Sequence, residues 1–85
     1  MAKNNVSMEA LNRIGALNDD LFKKENELRN AEAAYSAKRW YVAASASKGN
    51  VLALRNALAQ VRRCKDAVDA ARERLADALE ELPIA

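Results

Sequence analysis

The chain has 85 residues and a formal charge of +2, from 14 basic and 12 acidic side chains, with no histidine. That length allows one small domain, and so slight a charge imbalance does not by itself point to nucleic acid or to a membrane surface. The lack of histidine removes the commonest general base and the commonest metal ligand.

Apolar residues make up 51% of the chain, but many are alanine, the best helix former and a poor filler of core volume. There are two glycines, one proline and no threonine, and valine and isoleucine never alternate with polar residues over a strand length. These features predict an all-α protein built from long helices.

Residues 1–6 are polar apart from Met1, Ala2 and Val6 and are expected to fray. Ser7 is placed to cap a first helix, Glu9 lies in its first turn where the helix dipole favours negative charge, and Val6 and Leu11 have the spacing of a hydrophobic staple. Gly15 allows a kink or a short extra helix, but Ile14 and Leu21 keep the same phase across it, which favours continuity. Four acid-first pairs, Glu9–Arg13, Asp19–Lys23, Asp20–Lys24 and Glu25–Arg29, are spaced to support helix on the exposed face.

The stretch Ser47-Lys48-Gly49-Asn50 is the expected turn. Glycine tolerates the left-handed conformation that ends helices, and asparagine can cap the next one. One domain, 1–85, is therefore expected, with a helix over about 7–47, a turn at about 48–50 and a second helix over about 51–82, stopped before Pro83.

Apolar residues recur every seven positions on both sides of this turn: Ile14, Leu21, Leu28, Tyr35 and Val42 before it, Leu54, Val61, Val68, Leu75 and Leu82 after it. Taking these as position a, position d holds Leu17, Lys24, Ala31 and Lys38, then Ala57, Cys64, Ala71 and Ala78. Large residues at one seam position and small ones at the other suit two antiparallel helices in close approach. The expected fold is a long antiparallel two-helix hairpin, with partners Val42–Leu54, Tyr35–Val61, Leu28–Val68, Leu21–Leu75 and Ile14–Leu82. Lys24 and Lys38 should lie at the seam edge with their stems covered.

Phe22, Trp40, Tyr41, Leu52, Leu58 and Leu79 fall outside that seam. An apolar strip of this kind marks a partner surface, so oligomerisation into a helical bundle is expected. Charge is also uneven. Residues 33–65 carry Lys38, Arg39, Lys48, Arg55, Arg62, Arg63 and Lys65 and no acid, whereas residues 66–85 carry six acids against Arg72 and Arg74. The hairpin should have a basic tip and an acidic open end.

The partner-binding residues expected at the tip are Lys38, Arg39, Trp40, Tyr41, Lys48, Arg55, Arg62 and Arg63. Their chemistry fits an acidic protein surface with an aromatic anchor. It also fits nucleic acid, with cations on phosphates and aromatics on bases. A third fit is self-assembly, in which the tip of one hairpin meets the acidic end of another.

No catalytic residue, cofactor site or metal site is expected. Cys64, the one cysteine, sits at a seam position among alanines and reads as a small core thiol. Asp66, Asp69, Glu73, Asp77 and Glu80 read as a solvated helix face. Neither glycine belongs to a phosphate-binding loop. Met1-Ala2-Lys3-Asn4-Asn5 lacks the apolar core of a signal peptide, and no apolar run approaches the roughly 20 residues that cross a bilayer. The expectation is a cytoplasmic, non-enzymatic interaction protein: a small helical accessory, inhibitor or assembly part.

Overall fold

A computed structural model describes residues 7–82. It contains two helices, α1 (Met8–Ala44) and α2 (Lys48–Glu80), joined by Ser45, Ala46 and Ser47. They run antiparallel as one hairpin, with no strand among the described residues and a body 57 Å long. That length follows from the 37 residues of α1 at about 1.5 Å each.

Serine begins both helices. The Ser7 hydroxyl accepts a hydrogen bond from the Ala10 amide at 3.1 Å, and the Ser47 hydroxyl accepts one from the Asn50 amide at 3.2 Å. Both serines have extended backbone, the usual N-cap geometry. Glu9 lies in the first turn of α1 as expected, whereas Val6, the other half of the expected staple, lies outside the described residues. Pro83 does too.

The connection lies three residues earlier than Lys48-Gly49-Asn50. No glycine has positive φ, and Gly49 sits in the first turn of α2. Two serines replace the glycine stop. Ser45 turns the chain out of α1 in an extended conformation, with its amide still donating to the Tyr41 carbonyl at 2.8 Å. Ser47 then starts α2. Asn50 does not cap the helix. Its side-chain amide donates to the Ser45 carbonyl at 2.7 Å and ties the first turn of α2 back across the connection. Helix α1 passes through Gly15 unbroken.

The seam has the expected phase. Ala31, Val61, Cys64, Val68, Ala71 and Ala78 are the buried core, and every one is an a or d residue. The other a residues are all half-buried. Leu28 and Tyr35 pack on the cluster of Ala31, Val61 and Cys64, which puts the middle of the two helices in the expected register. At the open end, Ile14 and Leu82 line one cleft. Near the connection, Val42 and Leu54 line another.

Lys24 behaves as expected, half-covered and paired with Asp20 at 3.2 Å. Lys38 does not. It is exposed despite its d position, in the stretch 32–60 where no residue is fully buried and the seam covers less.

Three of the four expected intrahelical ion pairs are absent. Arg13 instead reaches Glu81 at 3.5 Å, Glu25 pairs with Arg72 at 3.4 Å, and Asp19 and Lys23 are in no ion pair among the described residues. Arg29 bonds to Asn26. A second helix alongside gives these side chains partners that an isolated helix lacks.

Candidate interaction surface

The ion pairs between the helices define two flanks of the rod. Arg13–Glu81 and Asp20–Arg74 lie on one flank, and Glu25–Arg72 on the other. Residues seven apart stay on the same flank, and those three or four apart are neighbours. Leu11 is therefore on the Glu25–Arg72 flank, as are Met8 and Phe22 one turn away. From α2 the same flank receives Val51, Leu58 and Leu79. Met8, Leu11, Phe22, Val51 and Leu79 are exposed, while Leu58 is half-buried by its own hairpin.

This order departs from the expected strip. Leu58 is less available than the sequence suggests, and Met8, Leu11 and Val51 join the exposed strip. Their signal was in the sequence: each lies at seven-residue spacing from Glu25 or Arg72, or one turn from such a residue. What was missing was the pairing that says which flank is which. Leu52 faces outward from α2, and Tyr41 belongs to the opposite flank, in line with Arg13 and Asp20.

The eight expected partner-binding residues are near the connection but do not form one patch. Lys38, Arg39, Trp40 and Tyr41 are consecutive on a helix, so they point about 100° apart in turn. Arg39 folds back over Tyr35, with its guanidinium carbon 5.9 Å from the ring centre. Trp40 is 68% exposed and meets Tyr41 edge-on at 5.6 Å between ring centres. Trp40 also borders a shallow cleft with Ser36, Arg39, Val42, Ala43 and Leu54.

On α2, Lys48, Arg55 and Arg62 form a single line at seven-residue spacing along the edge of the apolar flank. Arg63 turns away, its guanidinium donating twice to the side-chain amide oxygen Oε1 of Gln60, at 2.6 and 3.2 Å. Seven-residue spacing thus puts Arg39 on the Glu25–Arg72 flank that Lys48, Arg55 and Arg62 edge, and leaves Lys38, Trp40, Tyr41 and Arg63 on other faces.

The electrostatics separate the two ends of the rod. All four ion pairs among the described residues lie in the open half and use Arg13, Lys24, Arg72 and Arg74. None of the seven cations of residues 33–65 is paired with an acid. Asp20 receives both Lys24 and Arg74; the Lys24 hydrogen bond above all holds its carboxyl below the ordinary 3.8.

Cys64 is buried, and the Gln60 side-chain nitrogen lies 3.5 Å from its sulfur. No group of three or more cysteine, aspartate or glutamate side chains converges as a metal site among the described residues. No described helix is long and apolar enough to cross a membrane.

No protein-family model, curated protein or solved structure matches this chain.

Proposed function

We propose that the protein is a non-enzymatic interaction module, a helical accessory, inhibitor or assembly protein of the cytoplasm, whose basic end engages an acidic surface on another protein. The observation that carries this reading is the pairing pattern. Seven cations at the connected end lack an acidic partner, and the most exposed aromatic, Trp40, stands among them. Unpaired surface charge steers an oppositely charged partner into contact. A tryptophan beside arginines supplies the desolvated anchor that holds it.

The test begins with capture of the partner from the native host and continues with titration of the purified pair. Trp40→Ala should weaken binding at least about 30-fold, the scale of a tryptophan hot spot, with helicity unchanged. Unaltered affinity would remove Trp40 as the anchor. Binding of the chain to single- or double-stranded nucleic acid that falls steeply with salt and is abolished by Arg62→Glu with Arg63→Glu would replace the protein partner with a phosphate backbone.

A further inference from the structure

The seam is closed unevenly. Among the described residues the buried ones are Ala31, Val61, Cys64, Val68, Ala71 and Ala78, and none falls in the stretch 32–60 beside the connection. Composition explains the difference. In that half the a positions hold Tyr35, Val42 and Leu54, but the d positions hold Lys38, Ser45, Asn50 and Ala57, which bring polar atoms or little volume. Val42 and Leu54 stay half-buried and line an open cleft. Its α1 wall is Ser36, Arg39, Trp40 and Ala43, a single stripe of that helix.

Cations edge the same cleft. Lys48, Arg55 and Arg62 form a line on α2, with Val51 and Leu58 between that line and the seam, and Lys65 one heptad past Leu58. These cations and Arg39 are exposed, and none is in an ion pair among the described residues. Glu32 and Asp69, one heptad beyond Arg39 and Arg62, mark where the cationic stretch ends.

We infer that this cleft receives an acidic amphipathic helix of the partner protein. Its apolar stripe seats on Val42, Val51 and Leu54, and its carboxylates face Lys48, Arg55 and Arg62. The inference rests on the partner reading above and names the element that is bound. Charge selects the chemistry, because cations on both edges with no acid between them favour an anionic occupant. A phosphate backbone would meet those cations but leave the apolar floor uncovered.

Spacing selects the helix. Lys48, Arg55 and Arg62 repeat at about 10.5 Å along α2, and a helix laid alongside repeats its own carboxylates at the same interval. A strand covers that distance in about three residues, which turns successive carboxylates to opposite faces. Two helices also present no unpaired backbone edge for a strand to join. A second copy fits poorly. Its seven-spaced acids Asp66, Glu73 and Glu80 stand opposite an apolar stripe already used in its own seam.

The probe is a synthetic peptide of about three heptads, with leucines along one stripe and glutamates at seven-residue spacing beside it. Titrated into the purified chain, it should bind saturably at roughly tens of micromolar. It should also gain helical circular dichroism, since a free helix of that length is marginal. Moving the glutamates opposite the leucines should weaken binding at least about tenfold. Arg55→Glu with Arg62→Glu should cost the original probe as much, and lysines in place of its glutamates should restore binding to that variant. Val51→Glu should weaken the probe with the chain's own helicity unchanged.

A probe that does not bind at about 1 mM, binds without gaining helix, ignores the placement of its glutamates or binds the charge-reversed variant undiminished would overturn the inference. Displacement of the probe by duplex DNA would hand the cleft to a phosphate backbone. Sedimentation of the free chain as a dimer that excludes the probe would hand it to a second copy. A captured partner that depends on Trp40 but ignores Arg55→Glu with Arg62→Glu would sink this inference and leave the partner reading standing.

Discussion

Gly15 stands inside a 37-residue helix, with no neighbour within 4 Å of the position a Cβ would take. Alanine there restricts the unfolded chain and meets nothing in the folded one. It should stabilise the protein by about 0.5–1 kcal/mol. The thermal midpoint of Gly15→Ala should rise by roughly 2–8 °C, and an unchanged midpoint would show that the glycine costs the helix nothing at this position. Asp20 acts through charge. Its folded pKa lies below the ordinary 3.8 because Lys24 and Arg74 favour the carboxylate. The resulting stabilisation is complete above 3.8 and is lost as pH falls through the lower folded value. Between about pH 5 and pH 2, wild-type stability should therefore fall more than that of Asp20→Asn. Parallel thermal melts of the two proteins measure the difference, and equal losses would assign the acid sensitivity to other carboxylates.

At the scale of the element, the connection depends on Ser47. Its hydroxyl meets an amide of α2 that has no partner within the helix. Ser47→Ala should cost about 1 kcal/mol in denaturant unfolding and Ser47→Gly only a few tenths. No loss in either variant would mean that the hydroxyl contributes nothing. The position of the turn was only partly legible in the sequence. Gly49-Asn50 has the composition of a helix stop, but Gly49 adopts ordinary helical backbone. The actual stop uses Ser45 and Ser47, residues that the alanine-rich run Ala43–Ala46 hides among good helix formers. The ion pairs were misread for a related reason. Four-residue spacing identifies a helical neighbour of Glu25 but cannot see Arg72, which only the hairpin brings near.

For the whole molecule, the seven-residue ladders were enough to give the shape. Burial at Val61 and Val68 on the ladders, and at Ala31, Cys64, Ala71 and Ala78 at position d beside them, keeps that phase, because a period that stays in phase over several turns can bury only one stripe. The interaction surface was less legible. Consecutive residues such as Arg39, Trp40 and Tyr41 are close in the chain but diverge around the helix, and the apolar flank emerges only once Glu25–Arg72 fixes its side.

The three-residue connection has a further consequence for how the rod moves. It fastens the helices at one end, while Arg13 and Glu81, 68 positions apart in sequence, meet at the other. Closing the seam from the linked end adds one short step at a time, and starting from the far end means closing a loop of most of the chain. The three ion pairs between the helices all lie in the half away from that link.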